Sequence, residues 1–185
     1  MKIYRGSILD TTRPKQPNER DGVPYYFVSK QAFQEDATSG KFVEWGEYQK
    51  HLYGTSFGEI RRVIQRGRTC VLTLKPQSIP VLRNSDLMPY VIFIAPTSLE
   101  RLKMSKQRQG INGNVKEDEL KAIVAEAKKA EEQFGHYFDK VIVNYDLEQS
   151  FHELRLVIHR LESEPQWVPS VWLKSTNSVS NNLHQ

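Results

Sequence analysis

Three short apolar runs stand out along the chain: Cys70 to Leu74, Tyr90 to Ala95 and Val141 to Val143. Each is followed by a turn and then by a helical pattern. Continuous β-rich runs of strand length that alternate with helices predict a largely parallel sheet covered on both faces, an α/β fold. The helices carry start signals. Ser56-Phe57-Gly58-Glu59 and Thr97-Ser98-Leu99-Glu100 fit the capping-box pattern, and Asp146 is placed to cap a helix whose stripe is Leu147, Phe151, Leu154, Ile158 and Leu161. A second stripe, Leu120, Ile123, Val124, Ala127 and Phe134, predicts another amphipathic helix. Both stripes read as core packing. Gly110 to Lys116 reads as a polar loop, and Ser175 to Gln185, rich in Ser and Asn, as a disordered tail.

A chain of 185 residues, 38% hydrophobic and 26% charged, is long enough for one domain with a proper core. No apolar run approaches a bilayer span, and no signal-peptide core follows Met1-Lys2. The net charge of +4 is spread over mixed-sign stretches. The densest cationic run, Arg101 to Arg108, lacks interleaved aromatic residues, so it reads as a solvated helix end rather than a nucleic-acid surface. The single cysteine, Cys70, sits in an apolar run, where a buried inert thiol is expected and no internal disulfide is possible. The five histidines show no metal-ligand spacing, and no cofactor is indicated.

The candidate chemistry gathers in the first third of the chain. Within Thr12 to Val28 and Phe42 to Ser56, one arginine, one glutamate and two tyrosines are spaced to build a small pocket for a phosphate and a base. A guanidinium offers fork-shaped bonding to phosphate oxygens, phenolic hydroxyls complete the shell, and a carboxylate accepts from N–H groups of a base. Each residue has a plainer reading. Arg13 and Glu19 are equally spaced for a surface salt bridge, Tyr25 and Tyr53 for strand and core packing, Glu44 and Glu47 for a sheet edge, and Trp45 for packing.

Thr11 to Val28, Phe42 to Ser56, Pro89 to Pro96 and Gly135 to Asp139 together resemble the guanylate kinase-like domain of MAGUK scaffolds. The closing Glu164-Pro165-Gln166-Trp167-Val168-Pro169 is similar to the palmitoylated-membrane-protein branch, which includes Stardust-type polarity scaffolds. The likeness runs from Thr11 to Leu173. It implies a three-layer α/β fold of P-loop NTPase type, with a guanylate kinase-like domain over residues 11–165 and a non-matching lead over 1–10. By position, it gives Arg13, Tyr25 and Tyr53 to the phosphate and Glu44 and Thr55 to guanine, with Lys15 and Glu19 in support. It also gives residues 166–174, with Trp167, Val168 and Trp172, to a strand that completes a neighbouring SH3 domain.

Departures from that family point away from catalysis. No Gly-x4-Gly-Lys-Ser/Thr loop occurs in these residues, although phosphoryl transfer needs a cradle for the donor phosphates. Only Met1 to Leu9 stands where the family carries its first strand, phosphate loop and first helix, and Ile3-Tyr4-Arg5 and Ile8-Leu9 read as too short and broken to replace that strand. A second phosphate-binding arginine aligns with Gln16, a guanine-contacting serine with Leu9, and two aspartates with Thr73 and Lys75. The resemblance therefore implies a non-catalytic module that binds protein partners, including phosphoserine or phosphothreonine peptides, through the former GMP site, with weak GMP binding retained at most. It also implies a peripheral place at the plasma membrane or cell junctions. The rival expectations are an active guanylate kinase using ATP and GMP, and a structural element working through SH3 association in cis or trans.

Overall fold

The computed structural model describes residues 4–108, 116–170 and 172–173, which divide into two compact units meeting between Leu87 and Met88. The first holds β1 (Tyr4–Gly6), β2 (Leu9–Thr11), β3 (Tyr25–Phe27), α1 (Lys30–Thr38), β4 (Phe42–Tyr48), β5 (His51–Ser56), α2 (Phe57–Gln65), β6 (Thr69–Val71) and α3 (Ile79–Arg83). The second holds β7 (Ile92–Ala95), α4 (Leu99–Arg108), α5 (Glu117–Phe134), β8 (Lys140–Val143) and α6 (Leu147–Ser163).

Two parallel two-stranded ladders occur, one of them between the expected runs at 90–95 and 141–143. β1 pairs with β6, Tyr4 opposite Thr69, and β7 pairs with β8, Ile92 opposite Lys140. Tyr4–Gly6 therefore forms a ladder, contrary to the expectation that residues 1–9 are too broken for a strand. Three residues suffice because the neighbouring Thr69–Val71 edge supplies partners for its backbone. The widest sheet departs from the parallel pattern. Its order is β3-β2-β5-β4, with β2 parallel to β3 but antiparallel to β5, and β4 and β5 forming a hairpin. The hairpin turns through Gln49 and Lys50, both at positive φ (49° and 67°), the geometry of a tight primed turn.

Local signals explain the helices of the first unit. The Ser29 hydroxyl accepts from the Ala32 amide to start α1, and Gly40, at φ 71°, ends it. Ser56 caps α2 by accepting from Glu59 N at 3.3 Å. The other half of that box is missing. The Glu59 carboxylate, 5% exposed, instead takes Tyr26 Oη at 3.3 Å and Arg62 at 3.2 Å. Val43, Ile60 and Leu82 form the core of this unit, with Phe57, Cys70, Leu72, Leu74 and Leu87 packed against them. Full burial of such a side chain contributes roughly 1.5–3 kcal/mol. Burial also pushes the Cys70 thiol up, which keeps it an unreactive core group.

In the second unit Asp146 caps α6 as expected, its Oδ1 accepting from Glu148 N (3.0 Å) and Gln149 N (3.1 Å). The cap of α4 is Ser98 rather than Thr97, accepting from Arg101 N. The apolar stripes are only partly core. Of the stripe residues Leu120 is buried, Val124, Ala127, Phe134, Leu154, Ile158 and Leu161 are half-buried, and Ile123, Leu147 and Phe151 are exposed; Ala130 and Val157, outside the stripes, are buried. The strand expected over 166–174 is absent from its described residues. Residues 165–169 are irregular and the chain turns helical at Ser170, with Trp172 N donating to Pro169 O. No ladder partner lies beside this segment among the described residues, and a strand cannot satisfy its backbone alone. Trp172 is buried, and Trp167 is fully exposed. Most of the expected loop at 110–116 and the tail at 175–185 lie outside the described residues.

One glycine is indispensable. A Cβ at Gly54 would stand 2.8 Å from Phe42 Cδ1 and 3.0 Å from Phe33 Cζ, two buried rings stacked with centroids 4.5 Å apart. Neither ring has room to retreat. Gly54→Ala should destabilise the chain by about 1–3 kcal/mol in a urea-unfolding measurement.

Candidate functional site

The site begins with two threonines. The Thr11 hydroxyl, completely buried, donates to Leu52 O at 3.0 Å and accepts from Arg13 N at 3.1 Å. Thr12 N donates to Leu52 O (3.0 Å) and Thr12 Oγ1 accepts from Leu52 N (2.9 Å). β2 and β5 are thereby fixed in register, with Thr11 opposite Tyr53, and Arg13 leaves the sheet beside Tyr53.

Arg13 lies over the rings of Tyr25 and Phe27, 5.4 Å from each centroid, and Tyr25 meets Tyr53 edge to face at 5.8 Å. Its guanidinium grips Glu19 in a fork, Nη2 to Oε1 at 2.6 Å and Nη1 to Oε2 at 3.1 Å, while Gln16 N donates to Oε2 at 2.9 Å. This pairing raises Arg13 and holds Glu19 below the usual carboxylate range, with the mutual hydrogen bond as the main cause for both. The salt-bridge reading of these two residues is therefore realised. It coexists with the packing of Arg13 over Tyr25, whose ring meets Tyr53.

A groove of ≈ 910 Å³ opens in the first unit between the β4–β5 hairpin and the segment after β6. Of the expected residues, Tyr25, Glu44, Tyr53 and Thr55 line it together, as does Lys75. Arg13, Lys15 and Glu19 are not lining residues. Arg13 reaches the groove through Tyr25, and Lys15 is exposed. Thr55 is 5% exposed, and its hydroxyl has no hydrogen-bond partner among the described residues. Glu44 is engaged: its Oε2 accepts from Lys75 N and from Ser78 Oγ, both at 3.0 Å.

Trp45, read as packing, is 55% exposed on the groove while touching Phe33 edge to face. Tyr48, Gln77 and Ser78 also line it and were not anticipated. Tyr48 is brought there by the hairpin, its ring 6.4 Å from that of Tyr53. Ser78 gives no local signal, since its role depends on Glu44, 34 residues earlier.

Asp10 is a titratable group the sequence did not mark. Burial raises it from 3.8 to about 6, the Ser56 hydroxyl opposing and the Asp36 and Glu59 carboxylates adding to the rise. Below the ordinary value the acid is protonated folded or unfolded. Between pH 4 and 6 only the folded chain holds the proton, so stability falls as pH rises and levels off above. Asp10→Asn should remove this slope. Urea unfolding should show the variant gaining on the parent chain from pH 4 to 6, by roughly 1–2 kcal/mol after solvent screening is discounted.

Residues 2–161 match the family model for guanylate kinase. The match begins ahead of Thr11, so the lead over 1–10 that was read as unrelated falls largely within it. The chain is 47% identical to Protein PALS1 of Danio rerio over 92% of its own length and 25% of that protein's. It is 38% identical to MAGUK p55 subfamily member 7 of Xenopus tropicalis, covering 93% of this chain and 31% of the relative. Against Protein PALS2 of Homo sapiens the identity is 41%, over 88% and 31%. The chain thus spans a quarter to a third of the length of these relatives. Among solved structures, guanylate kinase from Anaplasma phagocytophilum matches with a TM-score of 0.53 and 22% identity, over 87% of this chain and 77% of that one, which shows the shared fold. With its sequence matched from residue 2 to 161 and its fold shared, this chain belongs to the guanylate kinase family, among the guanylate kinase-like domains of MAGUK p55 scaffolds.

Proposed function

We propose that the chain is a non-catalytic interaction module that reads a phosphorylated segment of a protein partner through the groove of its first unit. The observation that carries this reading is the cluster of Arg13, Tyr25 and Tyr53. A guanidinium seated over one phenol, which packs on a second, offers a cation and two hydroxyls to phosphate oxygens at the groove's edge. The unpartnered Thr55 hydroxyl supplies a further polar contact inside.

The absence of catalysis in this reading rests on the sequence. Thr73 and Lys75 stand where the family's enzymes carry aspartates, and Gln16 where they carry a second phosphate-binding arginine. The scaffold relatives support the same view. By extension from them, we place the chain in a scaffold working at the plasma membrane or cell junctions. Among the described residues no helix is long and apolar enough to cross a membrane.

A second association through the C-terminal segment is favoured by one observation, the complete exposure of Trp167 next to the half-exposed Val168. An SH3 domain is the partner we assign to it.

Calorimetric titration with a phosphoserine peptide tests the main reading. The peptide should bind, and Arg13→Ala should weaken it about tenfold or more without loss of folding. A coupled assay with ATP and GMP should show no turnover. Unchanged affinity in Arg13→Ala, or clear turnover, would overturn the proposal. Binding of a separate SH3 domain should be lost in Trp167→Ala and kept in Arg13→Ala.

A further inference from the structure

Glu44 is both the groove's anchor and a limit on what the groove can hold. A carboxylate that recognises guanine accepts from the ring N–H and the exocyclic amine, one with each oxygen. Here Oε2 already accepts two hydrogen bonds, from Lys75 N and Ser78 Oγ. Only Oε1 is left for a ligand, so the two N–H groups of a base would have to share one oxygen instead of taking one each.

The same tie determines where Lys75 stands. By binding the Lys75 amide to β4, Glu44 holds the start of the 75–78 segment against the groove, and Lys75 is one of the lining residues. Lys75 is exposed and has no ion pair among the described residues. Two acidic side chains also line the groove. Glu44 keeps its charge, but its Oε2 is turned to the Lys75 amide and the Ser78 hydroxyl. Glu47 lies three residues further along β4, about 10 Å at the rise of a strand and close to the hairpin turn. Lys75 is the cationic side chain on the groove, and among the described residues it is ion-paired to neither carboxylate.

Resting on the phosphate-reading function proposed above, we infer that Lys75 is a specificity-determining residue: it selects peptides with an acidic side chain beside the phosphorylated residue, while the engaged Glu44 disfavours guanine nucleotides. A solvent-facing ion pair of this kind changes affinity modestly, so its signature is a preference among related ligands rather than binding itself.

The test uses three peptides of equal length, each with one phosphoserine, flanked by Glu, Gln or Lys, titrated at low salt into the full chain. The parent chain should prefer the Glu-flanked peptide about threefold over the Gln-flanked one and about tenfold over the Lys-flanked one. Lys75→Glu should invert that order, and Lys75→Gln should flatten it, which keeps the test valid if the reversed charge disturbs folding. GMP should bind the parent chain more weakly than the preferred peptide. An identical order in all three proteins, or no preference in the parent, would overturn the role of Lys75. It would leave the phosphate reading intact provided Arg13→Ala still weakens binding about tenfold or more. Failure of all three peptides to bind the folded parent chain would overturn both.

Discussion

The backbone of Leu52 is held at both its N–H and its C=O by two consecutive threonines, and the geometry of the groove hangs on that clasp. β2 and β5 share only two residue pairs, Asp10 with Gly54 and Thr11 with Tyr53. So short a ladder specifies register weakly, and a slip by one residue would turn Tyr53 to the opposite face. The buried Thr11 hydroxyl raises the cost of such a slip, because leaving it without its carbonyl acceptor forfeits about 1–3 kcal/mol. The same hydroxyl accepts from Arg13 N, so strand register and the position of the candidate phosphate ligand are set by one group. Gly54 completes the arrangement by letting the Phe33–Phe42 stack close over the sheet.

Several charges in the first unit are arranged in local pairs. Arg13 is matched to Glu19, Arg61 to Asp86 and Lys41 to Asp36. Exposed pairs of this sort add little stability individually. Beside the paired Arg13, the unmatched groups add to the chemistry open to a ligand. Asp10, half-buried and pushed up to about 6, is a penalty the fold carries at neutral pH. Lys75 and the Thr55 hydroxyl stand unmatched on the groove, and both are therefore available to a ligand.

Much of this architecture was legible before any coordinates. The strand runs, the Ser56 and Asp146 caps, and the spacing of Tyr25, Glu44, Tyr53 and Thr55 are local or periodic features, found in the structure as strands, capped helices and lining residues, whereas Arg13 stands off the lining. The failures share one cause. The short Tyr4–Gly6 strand, the irregular segment around Trp167 and the missing half of the Ser56 box each depend on whether a distant partner is present. Tyr4–Gly6 finds Thr69–Val71, residues 165–169 find no ladder, and Glu59 finds Tyr26 and Arg62 instead of its own backbone.

Propensity, periodicity and side-chain chemistry are written into the chain itself, so element types, the family likeness and the identity of the candidate ligand residues could be read directly from it. Which of those residues share a groove could not. Arg13 engages Glu19 rather than facing the lining, and Glu44 gives one oxygen to Lys75 and Ser78 more than thirty residues away. Hydrogen-bonding capacity is finite, and only the folded chain, by bringing remote donors within 3 Å, settles which acceptors are spent internally and which are left for a partner.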